Sequence, residues 1–212
     1  MTAFDETFDW VVVGSGAGSM VSALVMKAAG KSVVILEKTA LVGGTTAKSG
    51  GVMWIPCNRF LTAVDPEETP DKAMAYLDAV CDEGRDAPGT SREKRQAYVG
   101  EAPKMLDFII GQGVAMERAA QFWPDYYDEL PGGCKTSRCV TASYLNLKEL
   151  GSWAKKVRPG FSPFPARLEE GMKMAYRKKS KALAKAYRDT VIRTILGNLM
   201  GKSYTMAGAA LQ

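Results

Sequence analysis

One hexapeptide limits the folds open to this chain more than any other stretch: Gly14-Ser15-Gly16-Ala17-Gly18-Ser19. It follows "DWVVVG", Asp9 to Gly14, a short β-branched run that reads as a buried strand. It opens Ala17 to Ala29, small and apolar at helical spacing and closed by Gly30. "SVVILE", Ser32 to Glu37, reads as a second buried strand. Strand, helix and strand within about thirty residues make a βαβ unit. Gly14 permits the tight turn and Gly16 lets the backbone approach a pyrophosphate. Ser19 stands where the third glycine of the fingerprint would stand, small enough for close helix–strand packing. The first turn of the helix, with Ser15, Ala17 and Gly18, then offers unpaired N–H groups and a favourable dipole to phosphate. The expected fold is α/β, of the Rossmann-like FAD/NAD(P)-binding type.

Glu37 ends the second strand 21 residues after Gly16, where an acid accepts hydrogen bonds from a ribose. An acid there suits an adenosine with a free 2′-hydroxyl, so FAD or NAD rather than NADP; Lys38 beside it is assigned to the same site. "VGGTTAKSGGVMWIP", Val42 to Pro56, separates the two. An NAD domain has no obvious need of a second polar, glycine-rich segment here. A flavin does, since its far end extends well beyond the pyrophosphate. Gly43, Gly44, Gly50 and Gly51 let the backbone reach the ribityl chain and ring, and the hydroxyls of Thr45, Thr46 and Ser49 supply further bonds.

Histidine is absent, so no Ser–His or Cys–His nucleophile can be built from this chain. Acid–base chemistry falls to Tyr, Lys, Asp or Glu, or to a cofactor. Cys57, Cys81, Cys134 and Cys139 contain no C-x-x-C pair, so no metal site is expected and the thiols are read as reduced. A formal charge of +5 is too mild for a charge-driven nucleic-acid binder, and no apolar run approaches the ~18–20 residues of a membrane span. "MTAFDETFDW" carries no signal-peptide pattern, so a cytoplasmic chain is expected.

Beyond Pro56 the patterns turn helical. Thr69–Gly84 has Thr at the cap and Pro in the first turn; Ser91–Gly111 opens with "SREK". Val114–Met116 suggests a short strand, Phe122–Gly133 an aromatic, turn-rich loop, Lys148–Val157 a short helix and Arg167–Leu199 a long one. The expected organisation is a βαβ part of an FAD-binding domain over 1–60 and a mainly helical insertion over 61–212.

The second glycine segment resembles the flavoprotein family of fumarate reductases, succinate dehydrogenases and 3-ketosteroid dehydrogenases. "GGTTAKSGGVMWIP" with Asn58, "DYYDELPGG" at Asp125–Gly133 and the final "YTMAGAAL" narrow the likeness to 3-ketosteroid Δ1-dehydrogenases. The resemblance implies 1,2-desaturation of a 3-oxosteroid. A tyrosine takes a proton from C2, and hydride leaves C1 for the flavin N5. In covalent members a histidine tethers the flavin; matching "TAKSGG" puts Gly44 there, so FAD should be held non-covalently. By motif position Tyr126 is the tyrosine that lines the pocket and assists the base, with Tyr127 the second choice; the plainer reading is that both pack the loop. Met53, Trp54 and Ile55 either wall the steroid pocket or pack the core. The family's base lies in a C-terminal half that this sequence does not reach, so the doubly wound sheet is expected to be incomplete. The chain is then the front of a longer protein, one partner of a second polypeptide, or an inactive product. The enzymatic rival is a fumarate-reductase-type oxidoreductase, whose acid substrates need cationic clamps where this chain has "VMWIPCN". Arg167–Arg193 holds nine Lys or Arg against three Asp or Glu, +6 locally: a solvated face, or a helix that lies on an anionic membrane surface.

Overall fold

In this computed structural model the described residues are 5–81, 89–119, 123–143, 145, 147–160, 184–185, 188–189, 191–192 and 195–196. The expected helix end at 82–84, Phe122, most of the Arg167–Leu199 helix and the final "YTMAGAAL" lie outside them; residues 184–185, 188–189, 191–192 and 195–196 are helical. The chain divides into two compact units: Met1–Gly51 with Tyr144–Gln212, and Val52–Ser143.

In the first unit, β1 (Trp10–Val13) and β2 (Val33–Leu36) pair in parallel, Trp10 opposite Val33 and Val13 opposite Leu36. The connection is α1 (Ala17–Ala28), whose small residues let helix and strands pack closely. Lys31 N donates to Met26 O and Gly30, at φ +76°, closes the helix in the left-handed conformation that costs glycine nothing. Ser32 donates both its N–H and its hydroxyl to Asp9, at 2.8 and 2.7 Å, pinning the start of β2 beside β1. Val12 and Ala23 are buried, but Trp10, Val11, Val13 and Leu36 are exposed, Val13 to 80%. Residues Leu147–Lys156 join this unit through Val42 N to Lys156 O and Arg158 N to Val42 O. They form 3-10 turns rather than the expected helix, because Gly151 breaks the run at φ +54°, ψ −127°.

The second unit holds an antiparallel sheet in the order β3 (Val52–Trp54), β5 (Cys139–Ala142), β4 (Met116–Arg118). Trp54 pairs with Cys139 and Arg118 with Val140. β4 begins at Met116, where the pattern suggested Val114–Met116, since Val114 N still bonds back to Ile109 O in the helix end. The helices are α2 (Arg59–Thr62), α3 (Pro70–Cys81) and α4 (Arg92–Gly111). Asn58 caps α2 through its side chain, and Thr69 Oγ1 accepts from Lys72 N at 3.2 Å at the start of α3. Ala73, Met74 and Val99 form a core between α3 and α4, and Arg95, 7% exposed, crosses to Asp78 at 3.1 Å.

Candidate functional site: a nucleotide cavity and a buried charge network

The first unit contains a cavity of about 440 Å³ at the carboxyl ends of β1 and β2, where open α/β sheets bind ligands. Gly14, at φ +88°, turns the chain out of β1 with its N–H on Leu36 O at 2.8 Å. Gly16 then starts α1 without a side-chain cap. Ala17 N donates to Thr46 Oγ1 at 3.0 Å, so a threonine of the second glycine segment closes the first helical turn. The next N–H groups, at Gly18 and Ser19, have no carbonyl four residues back inside the helix.

The two glycine segments touch backbone to backbone. A Cβ on Gly44, at φ +53°, would lie 3.3 Å from both N and Cα of Gly16. Ser15, 3% exposed, ties three segments together. Its N–H and hydroxyl both donate to Glu37 Oε2, at 3.1 and 2.6 Å, and its Oγ accepts from Gly43 N at 2.8 Å. Thr39 donates its N–H and hydroxyl to Glu37 Oε1. The hydroxyl of Ser15 and then the amide of Thr39 hold the Glu37 carboxyl down to about 2, so it is an ionised acceptor at neutral pH.

Of the sequence-predicted cofactor residues, Gly14, Ser15, Gly16, Glu37, Lys38, Gly44 and Thr45 line the cavity. Ala17, Gly18, Gly43 and Thr46 stand behind it, in the helix start and its supports. Ser49, Gly50 and Gly51 form the following turn, where Ser49 Oγ donates to Thr46 O and accepts from Gly51 N. Lys48 and Arg158 also line the cavity. Sequence reasoning passed over both: Arg158 reaches the cavity only through the Val42–Val157 bridge, a pairing with no local signal.

In the second unit Tyr126 is 92% and Tyr127 52% exposed. Their loop is anchored at Asp125, buried to 5%, whose Oδ2 accepts from Cys134 N at 2.9 Å and from Arg138 Nη1 at 2.6 Å. Arg138 is fully buried and also bonds Glu68, Nε to Oε1 at 2.7 Å and Nη2 to Oε2 at 3.0 Å. Burial works against its charge, but the hydrogen bond and charge of Glu68, with Asp125, outweigh that and raise its pKa. The guanidinium lies 5.5 Å from the ring centres of Trp54 and Tyr76. Trp54 donates Nε1–H to Asp125 Oδ1 at 2.6 Å and stacks on Tyr98, which donates to the Trp54 carbonyl. Ile55 is 1% exposed, its N–H on Arg138 O, and Met53 is half-buried in β3. No periodicity in the sequence points to this network, since Glu68, Asp125 and Arg138 come from three distant segments.

The cavity fits a dinucleotide: glycine backbone at the turn, helix-start N–H groups with no intrahelical partner, an ionised acid at the end of β2, and no room for a side chain between Gly16 and Gly44. A parallel βαβ unit carrying such a cavity defines a dinucleotide-binding domain. The chain belongs to the FAD binding domain family, which matches residues 9–212. It is 33% identical over 210 residues, 97% of its length, to a 3-oxosteroid 1-dehydrogenase of Mycolicibacterium smegmatis, of which it covers 36%. It is 40% identical over 163 residues, 75% of its length, to a 4-oxocyclohexanecarboxylate 2-dehydrogenase of Sinomonas cyclohexanicum, of which it covers 27%. Among solved structures, a 3-ketosteroid delta1-dehydrogenase from Sterolibacterium denitrificans in complex with 1,4-androstadiene-3,17-dione superposes with a TM-score of 0.79 at 26% identity, over 96% of this chain and 37% of that one. The chain thus spans between 27% and 37% of the length of these relatives. No helix among the described residues is long and apolar enough to cross a membrane.

Proposed function

We propose that this chain is the FAD-holding part of an oxidoreductase that removes two hydrogens from the ring of a 3-oxosteroid, between C1 and C2. The observation that carries the reading is the superposition on a 3-ketosteroid delta1-dehydrogenase along 96% of the chain. Bound FAD supplies the hydride acceptor, its N5, for the hydrogen that leaves C1. The chain's own residues bind and orient. The backbone at Gly14–Gly16 and the start of α1 hold the diphosphate, Glu37 holds the adenosine ribose, and the Gly43–Gly51 segment reaches toward the ribityl end without a covalent bond. Tyr126, with Tyr127 as alternative, presents its hydroxyl to the substrate pocket and assists the base that takes the C2 proton. Met53, Trp54 and Ile55 form the apolar wall behind it. That base belongs to a further part of the enzyme, in the same longer polypeptide or in a second one. The exposed Trp10, Val11, Val13 and Leu36 support this, since a parallel sheet is normally covered on both faces. The basic stretch Arg167–Arg193 is proposed to rest on an anionic membrane surface, from which a lipid-soluble substrate would be drawn.

A second reading is favoured by the 40% identical relative: the substrate is a small oxocyclohexane carboxylate. Both readings share desaturation beside a ketone on a six-membered ring. The native polypeptide that carries this sequence is mixed without oxygen with a 3-oxosteroid, then with 4-oxocyclohexanecarboxylate, and the flavin absorbance is followed. Bleaching by the steroid with appearance of the 1,2-unsaturated product supports the first reading. Bleaching by the carboxylate alone transfers the proposal to the second, and bleaching by neither overturns both.

A further inference from the structure

Two cations reach the nucleotide cavity from outside the βαβ unit. Lys48 ends the 3-10 turn Thr46–Lys48; its side chain is exposed and among the described residues its Nζ donates only to Gly160 O, at 3.4 Å. Arg158 is fixed by its backbone on Val42. Its Nη2 donates to Thr39 Oγ1 at 2.8 Å and to Leu41 O at 3.3 Å, while its Nε is buried with no hydrogen-bond partner among the described residues. Neither side chain forms a salt bridge among the described residues. A buried guanidinium nitrogen left without an acceptor is unfavourable until one arrives. The cavity lining carries Lys38, Lys48 and Arg158 against Glu37 alone, a balance of two positive charges. A diphosphate ester carries two negative ones.

We propose that Lys48 and Arg158 are the counter-charges of a dinucleotide's diphosphate: Arg158 supplies a planar fork of donors and Lys48 a mobile point charge. The inference rests on the reading that the cavity takes FAD. It assigns the charge of that site to residues of the second glycine segment and of the strand-like bridge at Val157, while the βαβ unit supplies neutral N–H groups. Glu37 is held by hydrogen bonds from Ser15 and Thr39, and in this assignment ribose and diphosphate have separate partners. Thr39 is the shared element: it donates to Glu37 and accepts from Arg158.

The test is calorimetric titration of the full chain with FAD, ADP and adenosine, in wild type and in Lys48→Gln, Arg158→Gln and Arg158→Lys. Each Gln variant should bind FAD and ADP about tenfold more weakly, the size of one lost charge-assisted hydrogen bond, with adenosine affinity unchanged. The dependence of ADP affinity on salt should flatten in both, and Arg158→Lys should fall between wild type and Arg158→Gln. Unchanged ADP affinity in both Gln variants, in a wild type that binds FAD, overturns this inference and leaves the FAD reading standing. A wild type that binds neither FAD nor ADP overturns both. An Arg158→Gln that loses adenosine equally marks a structural arginine and overturns its assignment; the exposed Lys48, whose removal disturbs one long contact, decides its own.

Discussion

Replacing Arg138 by Met tests the reasoning about the second unit most directly. The arginine's side chain is 0% exposed, and its carboxylate partners are 0% and 1% exposed. The substitution keeps an unbranched apolar stem between Trp54 and Tyr76 but strips three bonds from Glu68 and Asp125 and one, at 2.8 Å, from Gly132 O. Two buried carboxylates then face each other without a cation. Breaking a buried ion pair from one side typically costs about 3–5 kcal/mol, most of it the stranded charge. The expected loss is therefore about 4 kcal/mol, a large share of a typical total of 5–15. At about 2–4 °C per kcal/mol for a chain of this size, the melting temperature should fall by roughly 8–16 °C. Urea melts of R138M, E68Q and the double variant separate charge from packing. If the stranded charge dominates, the double variant should be more stable than the sum of the singles by about 2 kcal/mol. A loss below about 1 kcal/mol, or strict additivity, would refute the claim that this network is an electrostatic anchor.

Four further outcomes follow from the geometry. Glu37 has a folded pKa of about 2 against an ordinary 4.5, so its contribution to stability is complete above 4.5 and lost as pH falls toward 2. The stability gap between wild type and Glu37→Gln in urea should be constant from pH 7 to 5 and close below 4.5; a gap that persists at low pH refutes the assignment. Gly44→Ala forces a Cβ to 3.3 Å from Gly16 at φ +53°, and should cost about 1–2 kcal/mol and weaken FAD binding measured by flavin fluorescence. Burial, and for Cys57 also the charge of Glu68, pushes the thiols of Cys57 and Cys139 up to about 11; mass spectrometry should find both poorly alkylated at pH 8 and reactive only above about pH 10. Tyr126→Phe removes one hydroxyl from a side chain 92% exposed. Under the proposed function it should shift stability by less than about 0.5 kcal/mol while lowering turnover of a 3-oxosteroid by the native polypeptide.

The nucleotide half was legible because its signals are local. A β-branched run, a glycine turn, small helical residues and an acid at the end of the next strand lie in 29 consecutive residues, Asp9–Glu37, and β1, α1 and β2 form within two residues of the expected bounds. In the second unit α3 and α4 form within the expected Thr69–Gly84 and Ser91–Gly111, but the sheet was not legible, for a plain reason. Val52 pairs with Thr141 across most of the unit, and each strand is three or four residues long. Strands so short carry no alternation to count, and Glu117 and Arg118 in β4 would argue against a strand on pattern alone. Lys148–Val157 failed as a helix at one residue, Gly151, whose left-handed φ is a tertiary demand. Glu68, Asp125 and Arg138 carry no local signal of burial; only the fold shows that they satisfy one another.

The glycines at the end of the tyrosine loop set how that loop can move. A Cβ on Gly132 would stand 2.1 Å from Lys72 O and 2.7 Å from Tyr76 N, and one on Gly133 2.4 Å from Asp128 O. Main chain thus lies directly on the main chain of α3, with no side-chain cushion to absorb sliding. Tyr127 N donates to Tyr76 OH on the same helix, at 3.4 Å. Tyr126 and Tyr127 therefore ride on α3 as part of one rigid body. In hydrogen exchange the amides of residues 127–134 should open together with those of α3, with one shared free energy. The position of the two hydroxyls is then set by the tilt of a twelve-residue helix rather than by the give of a surface loop.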